Sequence, residues 1–291
     1  MKIAATVEEI RSAVKAWKKE GLSVGFVPTM GYLHEGHQSL MQKAVSENDR
    51  VVVSIFVNPM QFGPSEDLES YPRDLEKDAS LCEASGVDLI FHPEPKEMYH
   101  PDFSSFVDMH GLTESLCGKS RPAHFRGVCT VVTKLFNIVQ PDCAYFGQKD
   151  AQQLAVIQQM VRDLNLDVTV IGCPIIREAD GLAKSSRNSY LSADERKAAL
   201  VLSQALEVAK QLLANGEQNA AKIRNAISET IQAEPLAKVD YVELVDARTL
   251  QQVDSVERPV LVALAVYIGK TRLIDNFITE EVGEKQCNSI C

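Results

Sequence analysis

Short runs of apolar residues alternate with stretches of helical spacing through the first part of the chain. Residues 23–27 and 50–57 are apolar and rich in β-branched residues, as expected of strands that are buried on both faces. Between them, Leu40, Met41 and Ala44 recur at the period of a helix over about residues 37–47. The order strand, helix, strand predicts a parallel pair of strands.

This alternation continues to about residue 175 and then changes. The other elements predicted before this point are helices at 7–19, 75–85 and 128–138, strands at 87–91, 141–146 and 166–172, and a helix from the glycine turn at Gly147 to Asp163. Beyond it, the pattern predicts helices at 192–215 and 220–233 and antiparallel strands at 239–245, 259–268 and 272–278, with a hairpin turn at Gly269 and Lys270. We expect the polar tail, 280–291, to fray.

These elements predict an α/β protein with two domains. Residues 1–175 are predicted to form a Rossmann-like, doubly wound parallel sheet that binds a nucleotide. Residues 176–291 are predicted to form a second, smaller α+β domain. At 291 residues the chain has ample length for both cores.

The chain is acidic, with a formal charge of −10, and 45% of its residues are apolar. Nucleic acids and anionic membranes repel an acidic surface, so the charge argues against a general binder of either. A single nucleotide needs only a local basic pocket, so nucleotide binding stays open.

The seven cysteines are scattered and include no C-x-x-C pair. This distribution favours the reduced thiols of a cytoplasmic protein over a disulfide framework. The first 20 residues carry frequent charges, and the longest apolar run, 260–268, is too short to cross a bilayer. We therefore predict neither a signal peptide nor a membrane segment.

The decapeptide PTMGYLHEGH at 28–37 connects a predicted strand to a predicted helix. His34 and His37 stand three residues apart at the helix start, where backbone N–H groups and the helix dipole attract phosphate. Gly36 removes a side chain that would block a close approach. The spacing is also compatible with a pair of zinc ligands or with two ordinary capping histidines.

Two further motifs follow predicted strands. In NPMQFG at 58–63, Asn58 and Gln61 lie where ligands of open α/β sheets gather, although Asn58 could close a turn and Gln61 could be a solvated amide. In FGQKDAQQ at 146–153, Lys149 offers a charge to phosphate and Asp150 an acceptor to ribose hydroxyls, with Gln153 one turn further on. An unremarkable helix cap is the alternative there.

The stretch READGLAKSSRN at 177–188 combines small residues, two hydroxyls and three cations. Such a composition suits a phosphate-binding loop, and the alternative is an exposed polar linker. Arg121 and Arg126 form a small basic patch that could meet an anion or pair with surface acids.

Taken together, the two histidines after the first predicted strand and the Lys/Ser/Arg loop resemble the nucleotidyltransferase superfamily, whose two signatures bind the ATP triphosphate. The four motifs in this order resemble the pantothenate synthetase (pantoate–β-alanine ligase) family, over positions 28–188. The resemblance implies two steps: ATP and pantoate give an enzyme-bound pantoyl adenylate and pyrophosphate, and the amine of β-alanine then gives pantothenate and AMP.

Carried over to this chain, the resemblance implies roles for particular residues. His37 would be the proton donor, with His34 and Lys149 also at the reacting phosphates. Gln61 and Gln153 would bind pantoate, and Gln61 would also lie near β-alanine. The residues implied to bind ATP are Met30, Gly31, Tyr32, Leu33, His34, Glu35, Gly36, His37, Gly147, Gln148, Lys149, Asp150, Ile176, Lys184, Ser185, Ser186 and Arg187.

The resemblance also implies Mg²⁺ with the triphosphate, a homodimer, and closure of residues 176–291 over ATP. Asp74 and Asp78 are nearby candidates for the metal, and we assign no protein ligand. Three rival functions stay open: a nucleotidyltransferase acting on a phosphate-bearing metabolite, a metal-dependent hydrolase built on His34 and His37, and a nucleotide-binding regulator without turnover.

Overall fold

The computed structural model describes residues 1–64 and 66–279. The chain divides into two compact units: the first holds Met1–Glu114, Gly118–Arg177 and Lys184–Ser186, and the second holds Ser115–Cys117, Glu178–Ala183 and the chain from Arg187. The predicted tail at 280–291, with Cys287 and Cys291, lies outside the described residues.

The first unit is built on a six-stranded sheet of order β1-β4-β3-β2-β5-β6 in which every neighbouring pair is parallel. Its strands are β1 (Lys2–Ala4), β2 (Val24–Thr29), β3 (Arg50–Ile55), β4 (Leu89–Phe91), β5 (Cys143–Gly147) and β6 (Thr169–Cys173). Its helices are α1 (Val7–Lys19), α2 (Glu35–Glu47), α3 (Leu75–Ala84), α4 (Pro95–Met98), α6 (His124–Val139) and α7 (Ala151–Asp163). A short helix, α5 (Leu116–Ser120), contains residues assigned to both units.

Successive residues of a strand point to opposite faces of the sheet, and here the residues on both faces are mostly apolar and buried. Helices therefore cover both faces. On one side, Val27 of β2 packs in a core with Met41 of α2 and Cys82 of α3. On the other side, the ring of Phe26 meets that of Phe136 in α6, with ring centroids 6.4 Å apart. The prediction of a doubly wound parallel sheet is confirmed.

The second unit contains an antiparallel sheet of order β7-β8-β9. Its elements are α8 (Ala193–Ala198), α9 (Val201–Ala214), α10 (Ala220–Gln232), β7 (Ala237–Asp246), β8 (Val260–Ile268) and β9 (Thr271–Ile278). Leu202 and Leu206 of α9, Ile227 of α10 and Leu264 of β8 are buried in one core. The predicted α+β fold and the hairpin between β8 and β9 are confirmed.

Several details differ from the prediction, including the short helices α4 and α5, which were not predicted, and α6, which begins at His124 instead of residue 128. The helix expected at 192–215 is two helices, because the N–H groups of Leu200 and Leu202 bond to carbonyls three residues back and tighten the chain between α8 and α9. The strand expected from residue 166 begins at Thr169, since the Leu166 N–H still bonds to the Val161 carbonyl of α7. Strand β1, three residues at the sheet edge, was not predicted.

No helix within residues 1–64 and 66–279 has the length and apolar character needed to cross a bilayer.

Candidate active site

The turn between β2 and α2 is held by a buried carboxylate. The backbone N–H groups of Tyr32 and Leu33 donate to the two oxygens of Asp78 over 2.7 and 2.6 Å. Gly31 and Tyr32 have φ values of +85° and +51°. A Cβ on Gly31 would lie 2.9 Å from Asp78 Oδ2, so glycine is required there by both conformation and space.

Asp78 therefore acts as a clamp on the backbone, although the sequence suggested it as a metal candidate. Burial raises the pKa of Asp78, and the two backbone hydrogen bonds oppose that rise. Asp74, the other candidate, accepts from the Lys77 N–H and caps α3. The described part of the chain contains no group of three or more His, Cys, Asp or Glu side chains placed to hold a metal ion.

His34 and His37 cap α2 reciprocally. The Gly36 N–H donates to His34 Nδ1 over 3.1 Å, and the His34 N–H donates to His37 Nδ1 over 3.3 Å. The helix accordingly begins at Glu35, two residues before the predicted start. The imidazole centroids are 4.1 Å apart, so both rings lie at one place.

Capping fixes the tautomer of each imidazole. Because Nδ1 accepts a hydrogen bond in both residues, the neutral ring carries its proton on Nε2. Burial, and then the charge of Lys149, lower the pKa of His34 to about 4. Burial, followed by the charges of His34 and Lys149, lowers the pKa of His37 well below its ordinary value. At neutral pH the pair therefore offers two Nε2–H donors rather than two positive charges.

Gly36 is required by the ring of His34. A Cβ on Gly36 would lie 2.8 Å from His34 Cε1 and 2.9 Å from His34 Nδ1. Real Cβ atoms do not approach other heavy atoms this closely. The close approach expected at Gly36 thus has a cause within the protein itself, whatever ligand binds beside it.

The junction between β5 and α7 lies at the same edge of the sheet, since β2 and β5 are parallel neighbours. Gly147 ends β5 with a φ of −75°, and Gln148–Asp150 form one 3₁₀ turn before α7. Apart from its two chain neighbours, no described residue comes within 4 Å of where a Cβ on Gly147 would lie. Lys149 lies on this turn, and its positive charge helps to lower the pKa of both histidines.

The stretch that begins at Ile176 returns to the same place. The Lys184 N–H donates to the Ile176 carbonyl over 2.9 Å, and Lys184 Nζ lies 3.1 Å from Glu35 Oε2 at the start of α2. The Ser186 hydroxyl donates to the Tyr32 carbonyl over 3.2 Å. The alternative of an exposed linker is wrong, because Ser186 is buried.

Three further predicted residues lie in these same segments. Ser185 is half-buried between Lys184 and Ser186. Arg187 lies in the 3₁₀ turn Ser186–Tyr190 and belongs to the second unit. Gln153 is half-buried on the first turn of α7.

Gln61 is a buried amide rather than a solvated one. It ends a 3₁₀ turn after β3, and its side chain accepts from Asn58 Nδ2 over 3.2 Å and donates from Nε2 to Met30 Sδ over 3.1 Å. Asn58 does close the turn, by accepting from the Met60 N–H, and is itself 1% exposed. The Met30 contact connects Gln61 to the β2–α2 turn.

Sequence reasoning missed the residues that hold the Gln61 backbone. Arg121 donates to His124 Nε2, so His124 donates from Nδ1 to the Gln61 carbonyl over 3.0 Å. Burial, then the Arg121 charge, lowers the pKa of His124 to about 4. Arg121 also pairs with Glu66, its Nε 2.7 Å from Oε1, which favours the acid-pairing alternative for the basic patch. Only the three-residue spacing of Arg121 and His124, where a loop leads into α6, could have suggested this group.

A parallel α/β sheet that gathers two imidazoles and two lysines at its carboxyl edge defines a Rossmann-like protein of the nucleotide-binding class. The model of the pantoate-β-alanine ligase family matches residues 2–278. The chain belongs to that family.

Individual relatives agree with this assignment. The chain is 64% identical over 280 residues to the pantothenate synthetase of Enterococcus faecalis, covering 96% of this chain and 99% of the relative. The crystal structure of pantothenate synthetase from Thermus thermophilus is similar with a TM-score of 0.90 and 46% identity, over 95% of this chain and 99% of that one. The pantoate-β-alanine ligase of Francisella tularensis, solved as a complex with β-γ ATP and β-alanine, gives a TM-score of 0.78 at 37% identity, over 96% and 97%.

Proposed function

We propose that this protein joins pantoate and β-alanine to give pantothenate, using ATP and passing through a pantoyl adenylate. The products would be pantothenate, AMP and pyrophosphate, and the enzyme would be an AMP-forming ligase of pantothenate biosynthesis. The observation that carries the proposal is the convergence of His34, His37, Lys149 and Lys184 in a member of this family.

In the first step, the formation of the adenylate, the protein must stabilise negative charge on the phosphates of ATP. The carboxylate of pantoate attacks the α-phosphorus of ATP and pyrophosphate leaves, so the nucleophile needs no base. The Nε2–H groups of His34 and His37 supply preorganised donors, and Lys149 and Lys184 supply positive charge. His37 is the proposed proton donor because its half-buried ring carries its proton on Nε2.

ATP would lie along the carboxyl edge of the sheet. The backbone of Met30–His37 and of Gly147–Asp150 would face the phosphates and nucleoside, with Ile176 beside adenine and Lys184–Arg187 along the triphosphate. The open space at Gly147 supports this, since a ligand can approach the backbone there.

Pantoate would be held by the amides of Gln61 and Gln153, and β-alanine would bind near Gln61. Neutral amides suit a small hydroxy acid, because a phosphorylated substrate would call for more Arg or Lys. The burial of Gln61 supports this role, since its amide is fixed before a ligand arrives.

Mg²⁺ would enter as part of the substrate, bound to ATP. Magnesium in such sites is held largely by phosphates and water, with one or two protein carboxylates. Both Asp78 oxygens are already occupied by backbone N–H groups, so we assign no protein ligand and derive no step from one.

A cytoplasmic homodimer completes the proposal. Sedimentation at micromolar protein would test the dimer. Closure of residues 176–291 over ATP stays a prediction, which scattering profiles with and without MgATP would test.

The decisive experiment is exchange of labelled pyrophosphate into ATP, with Mg²⁺ and pantoate and without β-alanine. Pantoate-dependent exchange is expected, because adenylate formation is reversible. Folded protein without exchange would overturn the proposal, and a stable dinucleotide-like product would instead favour a nucleotidyltransferase.

A further inference from the structure

A chain of hydrogen bonds leads to Gln61 from a tyrosine outside all four sequence motifs. Tyr99, at the end of α4, has its hydroxyl 2.8 Å from Asn58 Oδ1. Asn58 Nδ2 in turn lies 3.2 Å from Gln61 Oε1. Nothing in the sequence connects Tyr99 with substrate binding, since it lies 38 positions from Gln61 in the chain.

Two backbone groups decide which way the Asn58 amide points. The carbonyl oxygen of Gly127 can only accept, and it lies 3.1 Å from Nδ2. The Met60 N–H can only donate, and it lies 3.4 Å from Oδ1. Oδ1 therefore faces Tyr99, whose hydroxyl must donate to it. Burial raises the pKa of Tyr99, so the hydroxyl keeps its proton at working pH.

The orientation of Asn58 then fixes that of Gln61. Because the second N–H of Asn58 donates to Oε1, the amide nitrogen of Gln61 points away from Asn58. That nitrogen donates to Met30 Sδ over 3.1 Å, and a thioether is a weak acceptor. A hydroxyl or carboxylate oxygen of a substrate is a stronger acceptor and would replace the sulfur.

We propose that Tyr99 is a positioning residue for pantoate: by donating to Asn58, it holds Gln61 with its amide N–H groups toward an oxygen of the substrate. This rests on the proposed function, in which Gln61 binds pantoate. Of the two bonds to Asn58 Oδ1, that from Tyr99 is the shorter, at 2.8 Å against 3.4 Å. Without it, the buried Asn58 Oδ1 keeps only the long bond from Met60, and the amide, still bonded through Nδ2 to the Gly127 carbonyl, is held less firmly.

The substitution Tyr99→Phe tests this without removing the ring, which packs against Phe56 and Phe103. In the exchange assay, the KM for pantoate is expected to rise about tenfold, the effect of losing roughly one hydrogen bond. The KM for ATP is expected to stay within about twofold. A purely structural role would move both constants or neither.

Tyr145→Phe is the matched control. Tyr145 is also buried, and its hydroxyl bonds to Asn48 and Glu47, away from Gln61. Its removal is expected to leave the KM for pantoate unchanged. In a Gln61→Ala background, Tyr99→Phe is expected to change kcat/KM for pantoate by less than about twofold, because the group that Tyr99 positions is absent.

Several results would overturn the proposal. An unchanged pantoate KM in Tyr99→Phe, an equal rise in Tyr145→Phe, or a full further loss in the Gln61→Ala background would each do so while leaving the proposed function intact. Wild-type protein without pantoate-dependent exchange would instead overturn the proposed function, and the role of Tyr99 with it.

Discussion

The two strand-to-helix junctions at the carboxyl edge of the sheet are built differently. After β2, the turn is held by Asp78, two residues in the left-handed region and a reciprocal pair of capping histidines. After β5, the chain passes through Gly147 into α7, whose start carries no side-chain cap. The first junction is fixed by the protein, whereas the second leaves backbone and space for a ligand to complete.

Because of this difference, substitutions at the two junctions should have different effects on the stability of the fold and on ligand binding. A residue at the β2–α2 junction should affect both folding and catalysis, because its partners are protein groups. A residue at the β5–α7 junction should affect ligand binding with little effect on folding.

The largest expected effect is catalytic and comes from both junctions. His37→Ala and Lys149→Ala are each expected to slow pantoate-dependent pyrophosphate exchange by about two to four powers of ten, the range for a proton-transfer group or a preorganised stabiliser. Controls are His110→Ala and Lys197→Ala, whose side chains are 90% and 80% exposed. A near-wild-type rate in folded His37→Ala or Lys149→Ala protein would remove that residue from the mechanism.

A pair of aspartates tests the contrast in stability. Asp78→Ala is expected to lower the free energy of unfolding by about 2–3 kcal/mol, because two backbone N–H groups lose their acceptor. Asp150→Ala, with a side chain 49% exposed, is expected to change it by less than about 0.5 kcal/mol and to raise the KM for ATP. Urea unfolding measures the first quantity, and equal losses in the two variants would contradict the contrast.

The acid sensitivity of the first junction should be measurable through His34. Its pKa is about 4 in the folded chain against an ordinary value of 6.5, so between these values the unfolded chain binds a proton that the folded chain does not. Stability from this residue is therefore complete above pH 6.5 and is lost as pH falls toward 4. Asparagine at position 34 also caps a helix well but does not titrate. In His34→Asn, the loss in the free energy of unfolding between pH 6.5 and 4 should therefore be smaller than in the wild type by about 1–2 kcal/mol, allowing for the partial exposure of His34.

Urea unfolding at a series of pH values between these limits would reveal the difference. Parallel curves for wild type and His34→Asn would show that this imidazole is not held neutral by folding.

The smallest change in structure, a single added methyl group, is expected to act differently at the two junctions. Gly147→Ala should leave the free energy of unfolding within about 0.5 kcal/mol, since its φ is ordinary and the space is open, yet raise the KM for ATP about tenfold. Gly31→Ala, the matched change after β2, should instead cost about 1–3 kcal/mol of stability. Calorimetric unfolding and ATP titration of both variants would test the pair, and an unchanged KM in Gly147→Ala would show that no ligand lies against it.

Five of the six strands of the parallel sheet, all except β1, and the position of the two histidines were predictable from sequence because they depend on local patterns. Apolar runs mark the strands, and His34 and His37 follow one of them directly. The clamp by Asp78 was not predictable, since its partners lie 45 and 46 positions away. The same holds for Tyr99 and His124, which reach Gln61 only once the strands are assembled. The break between α8 and α9 was not predictable either, because no Pro or Gly lies there.

The close contact at Gly36 constrains how this sequence can change over evolutionary time. A Cβ there would lie 2.8 Å from the His34 ring, so the two positions cannot vary independently. A lineage could acquire a side chain at 36 only after His34 had become smaller, and that earlier change would remove one of the paired imidazoles. The order of substitutions is therefore restricted, and the glycine is retained for as long as the histidine is needed.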